Sequence, residues 1–224
     1  MKLRRKSKNS SKNKKHNVQK HRIQEVSSIC LSEKQKVDFL RSGNLVPEFR
    51  IFSNMINRIG IDNLRILDVN AGICHLYEVF KLCYSYKTIY TATDKAETKL
   101  KAAKKRHPEI TTRKGNFSRL NFKDKYDIVI YQDFSNAKVE LEKTIEKLIN
   151  TSSNWIFLYN TLVCQETKSL LIKNRGVDNN KICYNLEEFY SFLNSYSFSD
   201  IEFSFFQNSD DPTSPTPSVF FIKK

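Results

Sequence analysis

The chain has 224 residues, 39% of them hydrophobic and 12% aromatic, which suits one domain with a sizeable core. No apolar run approaches the ~18–20 residues needed to cross a bilayer, and no apolar segment follows the basic N-terminus, so neither a membrane span nor a secretory signal is expected. The net charge of +14 is uneven: residues 1–22 hold ten Lys or Arg and no acid, leaving 28 basic and 24 acidic side chains, a net +4, for the other 202 positions. Residues 1–24 are rich in Lys, Ser and Asn and poor in apolar side chains, which predicts a disordered tail. Such a tail either contacts nucleic acid, through counterion release around residues 1–22, or is simply a solvated extension.

Ser32-Glu-Lys-Gln35 reads as a capping box and Gly43 as the stop of a short helix. Pro47 opens a second helix, with Phe52, Met55, Ile56 and Ile59 on one face and Gly60 at its end. Together, residues 25–60 form an N-terminal helical segment. Strands and helices then alternate. Strands are expected at Arg65–Val69, Thr88–Thr93, Ile110–Arg113, Tyr126–Tyr131 and Trp155–Tyr159. Helices are expected at Ile73–Cys83, Lys95–Arg106, Ala137–Asn150 and Leu186–Leu193. Ile201–Phe206 and Val219–Ile222 are the final strands, joined without a helix, as an antiparallel hairpin. This order predicts a mostly parallel sheet with helices on both faces.

The strand ends carry the chemistry. Asp68 ends the first strand, and Gly72 permits close backbone approach in the turn that follows. Asp94 ends the second strand, where an acid can accept hydrogen bonds from both hydroxyls of a ribose. Asn116, after the third, offers a donor and an acceptor to an adenine edge. Gln132 and Asp133 follow the fourth. All four ends face one crevice, the usual ligand position in an open α/β sheet.

With these motifs, residues 50–224 resemble the class I S-adenosylmethionine-dependent methyltransferases. The family's first motif, Asp/Glu-x-Gly-x-Gly-x-Gly, is similar to Asp68-Val-Asn70-Ala-Gly72-Ile-Cys74. Its second acid corresponds to Asp94, its third motif to Gly115-Asn116-Phe117, and its fourth strand to Tyr126-Asp-Ile-Val-Ile130. The resemblance implies an α/β fold over 61–224: a doubly wound, mostly parallel seven-stranded sheet with an antiparallel last strand. It implies S-adenosylmethionine as cofactor. Asp68, Asn70, Ala71 and Gly72 would lie near its methionine moiety, Asp94 and Lys95 by the ribose, Asn116 and Phe117 about the adenine, and Gln132 by the sulfonium. Two motif glycines are replaced, by Asn70 and Cys74. Asn enters left-handed backbone more readily than most residues, and Cys is small. A dinucleotide-binding oxidoreductase would lose more by these replacements, because its pyrophosphate needs the glycine-lined turn and helix start.

The acceptor is less legible. Tyr131-Gln-Asp-Phe-Ser135 lacks the Asn-Pro-Pro-Tyr pattern of adenine methylation, and no Pro-Cys pair offers a nucleophile for cytosine. Cys164 reads as a buried structural thiol. His75 is either a general base or, by its place at a helix start, structural. Asp133 is the preferred catalytic candidate. The polar segment Cys164–Tyr184 is a lid or a surface loop, which leaves Tyr159, Asn160 and Tyr184 as candidate substrate contacts. Five scattered cysteines without a Cys-x-x-Cys pair point to reduced thiols in the cytoplasm and to no metal site. Three functions stay open: methyl transfer to a small molecule, methyl transfer to RNA aided by the tail, and a non-catalytic binding protein of the same fold.

Overall fold

The structure, a computed structural model, describes residues 46–84, 86–136, 140–165, 168–173, 180–206 and 214–224, with Gln35, Asp38, Arg41, Ser42, Asn44 and Asp211. The basic tail and most of the capping-box helix lie outside these residues. Gln35, Asp38 and Arg41 are helical where that helix is expected.

Five parallel strands form the centre. β1 (Leu64–Val69) pairs with β2 (Thr88–Asp94) on one side and β4 (Tyr126–Gln132) on the other. β3 (Thr111–Lys114) extends the sheet beyond β2, and β5 (Ser152–Cys164) lies beside β4. β9 (Thr216–Lys223) then runs antiparallel to β5, with β8 (Asp200–Phe205) antiparallel to β9 at the edge. Seven of the sheet's nine strands follow the order β3-β2-β1-β4-β5-β9-β8, the expected arrangement with its last strand reversed.

Side-chain alternation sorts this sheet into two cores. Ile66, Tyr90, Ile130 and Phe157 share one face with α1 (Pro47–Asn57), α2 (His75–Cys83) and α3 (Glu97–Arg106). Leu67, Val129, Ile156 and Phe220 share the other with α4 (Leu141–Thr151) and α5 (Leu186–Asn194). Asp68 and Gln132 sit in register with the first set, as does Tyr159, so their side chains lie beneath α1 and α2. Pro47 occupies the start of α1, where its missing N–H costs nothing. Phe49, Phe52 and Ile56, at spacings of three and four, turn toward the sheet. Phe52 meets Phe157 edge-on at 5.2 Å and Tyr159 at 5.6 Å, which anchors α1 over the end of β5.

The structure differs from the sequence reading in several places. α2 begins at His75 rather than Ile73, and α4 at Leu141, after an extended Glu140, rather than at Ala137. β5 continues eight residues' worth of ladder with β9, to Val163, across a register shift at Asn160. Asn160 takes a left-handed conformation (φ 58°), so a residue that reads as a strand stop acts as a bulge instead. α3 starts at Glu97 because the Asp94 side chain accepts the Ala96 amide at 2.8 Å and holds the chain extended there. Within 164–184, expected as a loop, β6 (Leu170–Ile172) and β7 (Lys181–Asn185) form a hairpin whose β7 pairs with the last two residues of β5.

Candidate active site

The turn between β1 and α2 determines what the crevice can accept. Asn70, Gly72 and Cys74 all adopt left-handed backbone, at φ 59°, 57° and 61°. These are the three positions that the first motif fills with glycine. A Cβ in that conformation costs roughly 1–2 kcal/mol, less for Asn, so the turn is kept at an energetic cost that packing must offset. The Ala71 amide donates to Thr93 O at 2.9 Å, and the Gly72 amide to Asp94 Oδ2 at 2.9 Å. The Asn70 side chain reaches Gln132 O at 3.1 Å. The Cys74 side chain is fully buried in the α1–α3 core, away from the crevice. Neither replacement therefore closes the turn.

Beneath the turn, Asp68 is fully buried. Its carboxylate accepts the Tyr90 hydroxyl at 2.6 Å and the Gln132 side-chain amide at 2.7 and 2.9 Å. Burial first, and then the Asp68 charge, push the Tyr90 hydroxyl well above its ordinary pKa, so it stays a donor. Asp68 thus fixes the ends of β1, β2 and β4 relative to one another.

Above the turn is a cavity of about 930 Å³. Asn70, Asp94, Lys95, Asn116, Phe117 and Gln132 line it, as do Asp133, Tyr159 and Asn160. Asp68, Ala71 and Gly72, expected as cofactor contacts, are buried and do not line it. Asp94 is held by two backbone amides, Gly72 and Ala96, which leaves lone pairs on both oxygens. Asn116 starts a tight turn after Gly115, whose φ of 152° and contact with Leu120, 2.9 Å from where a Cβ would be, require glycine. Lys147 braces that turn by donating to Ser118 O at 3.0 Å and Leu120 O at 2.7 Å.

At the other end, Asp133 is left-handed (φ 57°) and paired with Lys181 of β7 at 2.9 Å. Tyr159 is only 5% exposed, packed against Phe206 at 5.1 Å and His75 at 6.3 Å. Its hydroxyl, buried among the described residues without a hydrogen-bond partner, is raised well above its usual pKa by burial and by the charges of Glu48 and Asp68. Tyr184 does not reach the cavity. It stacks on Phe189 at 4.7 Å in the α4–α5 core, and burial pushes its hydroxyl up to about 12. Glu48 lines the cavity and was not expected there. In sequence it is simply an acid in a helix's first turn, where the dipole favours one anyway; only the packing of α1 turns it inward. Among the described residues no three His, Cys, Asp or Glu side chains gather as a metal would require.

No protein-family model and no curated protein matches the sequence. Solved structures do match. Magnesium protoporphyrin IX methyltransferase from Synechocystis with bound SAH aligns at a TM-score of 0.58 and 13% identity, covering 79% of this chain and 81% of that one. The glycopeptide N-methyltransferase MtfA aligns at 0.56 and 14% identity, covering 79% and 94%. An S-adenosylmethionine-dependent methyltransferase from Clostridium acetobutylicum aligns at 0.51 and 14% identity, covering 87% and 93%. The chain has the class I methyltransferase fold. Within that fold the β6–β7 hairpin stands beside the far end of β5 and brings Lys181 to Asp133. The methyltransferase fold also accounts for the reversed β9: it lets β8 and β9 close the sheet as a simple antiparallel pair.

Proposed function

We propose that this chain is an S-adenosylmethionine-dependent methyltransferase acting on a small-molecule acceptor. Asp94 is the observation that carries the reading. Its carboxylate stands on the cavity wall, fixed by the Gly72 and Ala96 amides, with acceptor capacity left for two ribose hydroxyls. The surroundings fit the cofactor. Asn116 and Phe117 line the cavity on the β3 side for an adenine, and Asn70 lines it from the left-handed turn. Lys95 lines the wall next to Asp94. When bound, S-adenosylmethionine supplies an electrophilic methyl group on a sulfonium centre.

The chain's own part is orientation and exclusion of water. Gln132, held by Asp68, presents a fixed edge to the middle of the cavity. Tyr159, Asn160 and the Asp133–Lys181 pair then border the acceptor end. That end lies under α1 and beside Phe206, in a cavity whose volume of about 930 Å³ is within the range of small-molecule sites. Methyl transfer from a sulfonium asks mainly for alignment and a place for one proton.

Calorimetric titration of S-adenosylmethionine into the purified chain tests the reading. Micromolar binding that Asp94→Ala weakens by at least about tenfold is expected. No binding at millimolar cofactor overturns it and leaves the fold as a binding scaffold.

A further inference from the structure

Positive charge beyond the tail gathers in one stretch of the chain. Residues 95–125 hold eleven Lys or Arg and three acids, against 17 and 21 at the other positions after residue 22. Part of this excess reaches the cavity, which six Lys or Arg and four acids line. Asp133 holds Lys181, and Glu140 holds Lys143. Arg119 and Lys147 make no ion pair with any described residue. The two are also neighbours. Lys147 donates to Ser118 O and Leu120 O, the carbonyls on either side of Arg119 in sequence, and stands 5.3 Å from the Phe117 ring. The Arg119 amide closes the same turn on Asn116 O at 2.9 Å. This turn leans over the sheet: Phe117 meets Tyr131 edge-on at 5.7 Å, which brings the turn beside the end of β4, where Gln132 and Asp133 stand. Desolvation lowers the Lys147 pKa from its ordinary value, with no carboxylate to counter it.

We propose that the small-molecule acceptor carries a phosphate group, which Arg119 and Lys147 hold at this rim of the cavity. The proposal rests on the methyltransferase reading and specifies its substrate class. Two like charges this close repel, and an anion between them replaces that repulsion with two attractions. The cofactor brings no such anion here, because the adenine assigned to Asn116 and Phe117 is uncharged. The two side chains divide the work. Arg119 offers a planar fork that matches two phosphate oxygens, and Lys147 a point charge. Lys147 keeps one of its three N–H donors after its two carbonyl bonds. The acids that line the cavity from the β4–α4 segment, Asp133 and Glu140, are each engaged with a lysine, so the phosphate meets no bare carboxylate on that side. An uncharged acceptor gains nothing from either cation.

The test is binding, and does not require turnover. S-adenosylhomocysteine is titrated first. Benzyl phosphate and benzyl alcohol, which share a ring and differ in the phosphate, are then titrated into the full chain saturated with it. The expected result is saturable binding of the phosphate at least about tenfold tighter than the alcohol. Arg119→Gln should weaken benzyl phosphate at least about tenfold, with S-adenosylhomocysteine affinity unchanged, and Arg119→Lys should restore only part of the loss. Lys105→Gln removes the same charge from an exposed position on α3 outside the cavity and should change nothing. Equal binding of phosphate and alcohol to the unsubstituted chain overturns the proposal, whether or not the variants fold. So does an equal loss in Lys105→Gln and Arg119→Gln, which would mean a general positive field without a site. Displacement of benzyl phosphate by S-adenosylhomocysteine also overturns it, by placing the phosphate in the cofactor's own position. If benzyl phosphate fails to bind at millimolar concentration while Arg119→Gln weakens binding of a single-stranded RNA oligonucleotide, the rim serves a strand and the small phosphorylated acceptor is overturned. If S-adenosylhomocysteine itself fails to bind, the methyltransferase reading falls and this assignment with it; if it binds and the phosphate does not, only the phosphate assignment falls.

Discussion

The Gly72 amide donates to Asp94 Oδ2 at 2.9 Å, so the acid at the end of β2 is set by the turn at the end of β1. One hydrogen bond thus joins the two motifs that the sequence presents 22 residues apart. The second oxygen serves the Ala96 amide.

Asp94→Ala should therefore cost stability as well as affinity. Two amides lose their acceptor, at about 1–3 kcal/mol in all where water does not replace it. Asp94→Asn keeps one carbonyl acceptor and should lose less of both. Urea unfolding and cofactor titration on the same samples separate the two effects. An Asp94→Ala chain with unchanged midpoint would mean that the turn is held without this bond.

Asn70 offers a sharper test of the degenerate motif. Its φ of 59° and its bond to Gln132 O make it the best non-glycine choice for the site. Asn70→Ala loses both the left-handed tolerance and the bond, and should destabilise by roughly 1–2 kcal/mol. Asn70→Gly loses only the bond and should cost less. Identical unfolding midpoints for the two variants would rule out the left-handed turn as the constraint.

These residues also explain how far the sequence could be read. The parallel order of strands, the acids at 68 and 94 and the reversed final strand followed from periodicity and spacing, because each is a local pattern. The course of β5 past Asn160 did not. An asparagine inside a strand reads as a break, and the bulge that absorbs it depends on a partner, β9, almost sixty residues later. Glu48 was missed for a similar reason. A helix-start acid has a sufficient local explanation, and its burial comes from Phe52 packing on Phe157 and Tyr159. Tyr184 was overread: the aromatic at the strand end faces the α4–α5 side, because β7 meets β5 with Tyr184 opposite Val163.

Cys183 should be inert to alkylation. Burial, followed by its contact with Cys164, pushes its thiol up to about 12, so at pH 8 only about one molecule in ten thousand carries the reactive thiolate. Cys83 is half-buried and should react first among the four described cysteines. Iodoacetamide labelling of the native chain, followed by mass spectrometry, checks the order. Early labelling of Cys183 would mean that β7 opens from β5 in solution.

Stability should fall as the pH drops through the histidine range. His107 is buried at 1% exposure and faces Glu78 at 3.1 Å, yet desolvation outweighs that carboxylate and lowers its pKa below 6.5. A depressed histidine pKa means that the unfolded chain binds the proton more readily. Its stabilising contribution is therefore complete above pH 6.5 and is lost as the pH falls toward the folded value. Melting temperatures at pH 7.5 and 5.5 should differ in the parent chain and differ less in His107→Gln. An equal drop in both would assign the pH dependence to carboxylates elsewhere.

Deleting residues 1–22 separates the small-molecule reading from the RNA reading. The deletion removes ten positive charges and leaves a chain of net charge +4. Affinity for single-stranded RNA that depends on these charges should fall steeply with added salt in the full chain and only weakly in the truncated one. Cofactor and acceptor affinity should be equal in the two, since Asp94, Asn116, Tyr159 and Glu48 all lie in the folded body. If the truncated chain loses acceptor methylation while still binding cofactor, the acceptor is held by the tail, and the cavity end under α1 is not where it docks.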